Sequence, residues 1–266
     1  MTDSDILYDV ADDGVATLTI NRPEVMNALR AQTSRDMFEA LDDVRSNDDV
    51  RCLLITGAGR GFCAGDDFQA IFLDEDRANR KIERQIRRIK EGESSLDEIF
   101  ALEKPTIAAV NGPAVGYGMD IALYCDIRLA SDRAKFGWYF VRRGVMGTIG
   151  GTFILRQLVG LSKAFELTLT GDLIDADEAL RIGLVSRVVP DAELMDEALV
   201  LARKIASGPP LTQQLIKRSI HKGFGFDWKS LGEYQQAVGD VLWETADHME
   251  GVHSFLERRE PNFRGR

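Results

Sequence analysis

Two glycine-rich loops hold the residues whose types and spacing suit chemistry. The first, Gly57-Ala58-Gly59-Arg60-Gly61-Phe62-Cys63-Ala64-Gly65-Asp66-Asp67, follows the apolar run Cys52-Leu53-Leu54-Ile55. The second, Asn111-Gly112-Pro113-Ala114-Val115-Gly116-Tyr117-Gly118-Met119-Asp120, ends an apolar run in a turn and then starts a helix. Backbone N–H groups at a helix start lack intrahelical partners and point at anions, so two such loops side by side can hold one developing oxyanion. Asp120 lies one helical turn beyond the donor of the second loop, close enough for proton transfer at the atoms next to that oxyanion. Without a ligand the same residues read as two tight turns, with Asp120 a first-turn acid favoured by the helix dipole.

Strands must feed these loops and a helix must follow them. Ile6–Val10 and Val15–Ile20 flank the turn Ala11-Asp12-Asp13-Gly14 and read as a hairpin. Thr33 or Ser34 can cap a helix whose apolar stripe is Met37, Phe38, Leu41 and Val44, and residues 51–56 return as a strand. Residues 106–110 and 127–130 are the next short apolar runs, with a helix over 116–124 between them. This succession predicts an α/β domain. Residues 74–98 alternate in charge, with Ile82, Ile86 and Ile89 at helical spacing, and read as an exposed connecting helix, a substrate-covering lid being the second reading. After residue 190 the pattern is helical, over 192–207, 211–222 and 229–255, which places a soft boundary between residues 1–190 and 191–266.

Composition excludes several function classes. A formal charge of −10 over 266 residues argues against nucleic acid, which needs a basic face, although a few cations and backbone N–H groups around a pocket can still bind phosphates. No apolar run reaches membrane-spanning length and no basic-then-apolar leader precedes the first strand, so no membrane partner and a cytoplasmic location are expected. Cys52, Cys63 and Cys125 form no CxxC pair and read as small packing residues in a reducing compartment. There is no HExxH and no Cys/His cluster, so no metal is expected. His221, His248 and His253 lie far along the chain from both loops and receive no catalytic role.

The loop pair 59–67 and 111–120 resembles the enoyl-CoA hydratase/isomerase, or crotonase, superfamily. The resemblance continues through Thr19-Ile20-Asn21-Arg22-Pro23, Asn27-Ala28-Leu29, Cys125-Asp126-Ile127-Arg128, Leu169-Thr170-Gly171, Gly183-Leu184-Val185 and Phe255-Leu256-Glu257-Arg258-Arg259. It implies a spiral of ββα units with a C-terminal helical region that makes trimer contacts, two trimers stacking in some cases. It also implies an acyl-CoA thioester as substrate and no separate cofactor, coenzyme A being part of the substrate. By residue-by-residue transfer the oxyanion donors are the N–H groups of Asp66 and Tyr117, each preceded by a glycine, Gly65 and Gly116. Ala64, Gly65, Asp66, Asp67 and Phe68 would lie near the adenine and pantetheine, with Asn27 and Ala28 at the adjoining turn. Asp67 is expected chiefly to stabilise its own loop. Phe68, Ile71, Phe72, Trp138 and Phe140 would form an apolar acyl pocket, or in part ordinary core.

Asp120 stands where the hydratases carry one of two catalytic glutamates. The second glutamate's position is held by Phe140, and the position where other branches place an acid is held by Thr148. Tyr117 and Tyr139 carry hydroxyls, and Arg142 and Arg143 either hold a substrate carboxylate or form surface pairs. The resemblance therefore implies thioester-enolate chemistry, with enoyl-CoA hydration first and enoyl-CoA isomerisation as the alternative, since one base can shuttle one proton. A non-catalytic acyl-CoA binder is the reading of another class.

Overall fold

The computed structural model describes residues 4–72, 98–148 and 150–266, residues 71 and 72 by backbone alone. The helix expected over 74–98 lies outside the described residues except for its last residue, as do the Ile71 and Phe72 side chains placed in the acyl pocket. The strands are β1 Ile6–Val10, β2 Val15–Ile20, β3 Cys52–Gly57, β4 Thr106–Val110, β5 Pro113–Val115, β6 Ile127–Ser131, β7 Lys135–Gly137, β8 Ile174–Asp175 and β9 Arg187–Val189. The helices are α1 Ala31–Ser46, α2 Phe68–Phe72, α3 Glu98–Ala101, α4 Tyr117–Tyr124, α5 Leu155–Val159, α6 Leu161–Thr170, α7 Ala176–Arg181, α8 Leu194–Ala206, α9 Pro210–Lys222, α10 Trp228–Trp243 and α11 Ala246–Glu257.

Six strands form one sheet in the order β1-β2-β3-β4-β6-β9, and β5-β7-β8 form a second. Only the β1–β2 hairpin is antiparallel in the large sheet; β2, β3, β4, β6 and β9 run parallel. Chain order explains the pairing of sheets. β4 enters the large sheet and β5 the small one before α4 returns; β6 and β7 repeat that division. The architecture is mixed α/β.

The parallel strands are continuous apolar runs because both of their faces are covered. Leu53, Ile55, Ala108 and Val110 pack with the buried faces of α1 and α4, through Met37, Leu41, Val44, Ile121 and Leu123. On the opposite face Cys52, Leu54, Ile107, Ala109 and Leu129 meet Leu194, Ala198, Ala202 and Ala206 of α8. Those four residues recur every fourth position and form one stripe, in which the three alanines let the helix lie close to the sheet. α8, which follows the soft boundary at residue 190, thus packs on the outer face of the large sheet.

Two further details differ from the sequence reading. The cap expected at Thr33 or Ser34 lies earlier, at Arg30, and Thr33 Oγ1 accepts the Arg30 N–H at 3.2 Å while donating to Asp5 Oδ2 at 2.6 Å. The single helix expected over 229–255 is two, because Thr245 ends one and caps the next, accepting the His248 N–H at 3.1 Å.

Candidate active site

The first loop leaves β3 and is held from two sides by asparagines. Asn27, fully buried, donates through Nδ2 to the carbonyls of Ala58 at 2.9 Å and Gly61 at 2.7 Å and accepts the Arg22 N–H at 2.8 Å. Asn111 donates to the carbonyls of Gly57 at 2.8 Å and Gly59 at 3.0 Å. Loop and second sheet are then stitched by backbone: Phe62 and Cys63 both donate to Pro113 O, and Val115 donates to Cys63 O at 3.0 Å. Leu29 donates to Gly65 O at 2.7 Å, and Asp67 to Leu29 O at 2.8 Å, which fixes the backbone on both sides of Asp66.

These bonds bring the two glycine turns into contact. Gly65 has φ +85°, a left-handed conformation, and a Cβ there would stand 2.7 Å from Val115 O and 3.3 Å from Tyr117 N. The residue before Asp66 thus abuts the first residue of α4. Gly116, held by its N–H on Gly137 O at 2.8 Å, takes φ 57° and ψ −123° to turn β5 into that helix. Asp67 is bonded to other partners. Its carboxylate accepts from Arg22 Nη1 and from the Ala70 N–H, both at 3.0 Å, capping α2. Burial opposes its charge, but these bonds prevail and hold the carboxyl below the usual carboxylate range.

Asp120, one turn into α4, is fully buried. Trp138 Nε1 donates to its Oδ1 at 3.1 Å and the Thr148 hydroxyl donates to its Oδ2; Tyr124 in turn donates to Thr148 Oγ1 at 3.1 Å. Gly150 must be glycine here, since a methyl group at that position would overlap Oδ1. Burial drives the carboxyl up to about 7, opposed by the bonds from Thr148, Trp138 and the Gly151 N–H and reinforced by the Asp66 charge. A buried acid titrating near neutrality can take and give a proton at physiological pH.

Aromatic rings wall the same region. Phe140, buried, meets Trp138 edge to face at 5.1 Å between centroids and Tyr117 at 5.4 Å. Arg142 pairs with Asp172 at the surface and lies over the Tyr139 ring; Arg143 lies over the Phe68 ring at 5.3 Å. Ala64 and Phe68 are exposed at the outer end of the first loop. The histidines lie elsewhere: His221 stacks on Phe100 at 4.1 Å and His248 meets Trp243. Cys52, Cys63 and Cys125 are buried and unpaired, their thiols pushed up to about 12 by burial.

A family model for enoyl-CoA hydratase/isomerase matches residues 11–266. The chain belongs to that family. It is 38% identical to the short-chain-enoyl-CoA hydratase of Clostridium acetobutylicum over 92% of each chain. It is 35% identical to the 1,2-epoxyphenylacetyl-CoA isomerase of Escherichia coli over 96% of this chain and 97% of that one. The crystal structure of enoyl-CoA hydratase from Bacillus anthracis superposes with a TM-score of 0.89 at 31% identity, covering 98% and 100% of the two chains. The two sheets and their helices are accordingly the crotonase fold, and this chain is an enzyme of the enoyl-CoA hydratase/isomerase family.

Within this enoyl-CoA hydratase/isomerase fold, Gly65, Asp66, Gly116, Tyr117, Asp120 and Phe140 come together, whereas Ala64 and Phe68 are exposed and Asp67 is bonded to Arg22 and Ala70. Sequence reasoning placed Trp138 in the acyl pocket and missed it as a donor to Asp120. It also missed the Asn27 and Asn111 clamps and the Arg22–Asp67 pair. The closely spaced Gly147, Gly150 and Gly151 were the available signal for the first, since glycines mark places where something must approach closely.

Proposed function

We propose that this enzyme hydrates a 2-enoyl-CoA thioester, with Asp120 as its one proton-transfer residue. The packing of the Gly65 turn on the start of α4, with a buried titratable carboxyl one turn further in, is the observation that carries the reading. The thioester oxygen lies between the N–H groups of Asp66 and Tyr117, which stabilise the enolate more than the ground state. The Asp120 carboxylate takes a proton from water as the water oxygen bonds to the β-carbon and the C=C electrons move onto the thioester oxygen. The same carboxyl then gives that proton to the α-carbon as the enolate collapses, which regenerates the carboxylate and adds one water in all. Ala64, Asp67 and Phe68 flank the coenzyme A moiety, and Phe140 faces the acyl group. Coenzyme A belongs to the substrate and no other cofactor takes part; the enzyme works in the cytoplasm.

The test is turnover of crotonyl-CoA by wild type and Asp120→Asn. The variant should lose about 10²–10⁴-fold in kcat with acyl-CoA affinity nearly unchanged. Full turnover by the variant contradicts the role of Asp120, and wild type that binds both crotonyl-CoA and a 3-enoyl-CoA but turns over neither would make the protein an acyl-CoA binder. A second reading, isomerisation of a 3-enoyl-CoA, is favoured by the buried Phe140 at the place of a second acid. One carboxyl then moves one proton from the α- to the γ-carbon, and turnover of 3-enoyl-CoA but not crotonyl-CoA selects it.

A further inference from the structure

The Asp120 carboxyl has a different kind of partner on each oxygen. Oδ1 receives the indole N–H of Trp138 at 3.1 Å, and the indole has no acceptor with which to answer a protonated oxygen. Gly150 closes over the same oxygen. Oδ2 meets the Thr148 hydroxyl, which meets the Tyr124 hydroxyl at 3.1 Å, and both hydroxyls donate or accept by rotating a hydrogen. A buried acid that changes charge in every turnover must keep its oxygens satisfied in both states, because a buried polar group without a partner is costly.

We infer that the Thr148–Tyr124 hydroxyl pair is a reversible partner of Asp120 Oδ2, donating to the carboxylate and turning to accept when Oδ2 carries the proton, while Trp138 holds Oδ1 as a permanent acceptor. Thr148 and Tyr124 are positioning residues in this scheme, acting through Asp120 and exchanging no proton with substrate. The pair does part of what a second carboxylate would do, keeping a lone acid usable in both protonation states. The charged group that acts on Asp120 among the described residues is the Asp66 carboxylate of the first loop, whose influence each variant below leaves in place. The inference rests on Asp120 being the proton carrier of the proposed reaction.

The experiment compares Thr148→Val, Thr148→Ser and Tyr124→Phe with wild type in two measurements. One is NMR titration of isotope-labelled aspartate carboxyls in the unliganded protein, the Asp120 signal being the one absent from Asp120→Asn. The other is kcat and KM against pH with crotonyl-CoA and a 3-enoyl-CoA. Thr148→Val removes a hydrogen bond from both forms, the stronger one from the charged form, so the Asp120 titration and the acid limb of kcat should move upward by about one pH unit. Its kcat should fall roughly tenfold or more at constant KM, as for loss of one positioned polar contact. Thr148→Ser should restore both, and Tyr124→Phe should move the titration the same way by less. An unmoved Asp120 titration in Thr148→Val and Tyr124→Phe, or a serine variant that behaves like valine, overturns the inference. Wild type that turns over neither substrate removes the functional reading instead, and the titration of unliganded protein still decides the hydroxyl pair.

Discussion

Burial is the chief reason Asp120 titrates near pH 7, and the hydrogen bonds from Thr148, Trp138 and Gly151 only partly offset it. Its ordinary value is 3.8, so between about pH 4 and pH 7 the folded chain binds a proton that the unfolded chain releases. Stability from this group is therefore full below pH 4 and lost as pH rises through 7. Asp120→Asn removes the cost of the buried charge. At pH 8 the variant should be more stable than wild type by on the order of 2–4 kcal/mol, and the gain should shrink toward zero at pH 4. Urea unfolding at the two pH values checks this, and a wild type that is the more stable at pH 8 would show the carboxylate to be better satisfied than its surroundings indicate. The carboxyl's position was legible from the loop 111–120, but its environment was not. Trp138 and Thr148 lie 18 and 28 residues away in sequence and reach it only after the chain has built β6 and β7.

Strands and loop order were the most legible elements, because a sheet covered on both faces demands unbroken apolar runs and its turns demand glycine. β1, β2 and β4 match the sequence reading residue for residue, β3 is shifted by one residue at both ends, and β6 is one residue longer. Helix divisions were less legible. Thr245 ends α10 and caps α11 by one side-chain bond inside a stretch whose apolar pattern continues across it. The contact between loop and helix was inferred from resemblance and is built by Gly65. Gly65→Ala places a methyl group 2.7 Å from Val115 O at φ +85°, which pushes the Asp66 and Tyr117 backbones apart. The conformation costs about 1–2 kcal/mol in stability. Displacing one oxyanion donor should lower kcat by about 10²–10³-fold. Crotonyl-CoA kinetics and thermal unfolding of this variant give the two numbers, and unchanged kcat would mean that the two turns need not touch.

At the scale of the molecule, α8 completes the core and the later helices leave large apolar side chains outside. Trp228 is 91% exposed, Phe255 82%, Leu256 71% and Trp243 66%, all on α10 and α11 or their junction. Such surface on neighbouring helices seeks a partner, and a trimer or dimer of trimers joined largely through residues 192–255 is the assembly we propose. Light scattering at micromolar concentration should report three or six chains; a monomer would contradict it. Among the described residues no helix is long and apolar enough to cross a membrane. The most direct test of the whole account is a crystal structure with a non-reacting acyl-CoA analogue bound. It should place the thioester oxygen within about 3.2 Å of both the Asp66 and Tyr117 nitrogens, with the Asp120 carboxyl turned to the acyl α-carbon. A thioester oxygen more than about 3.5 Å from both nitrogens would contradict the account.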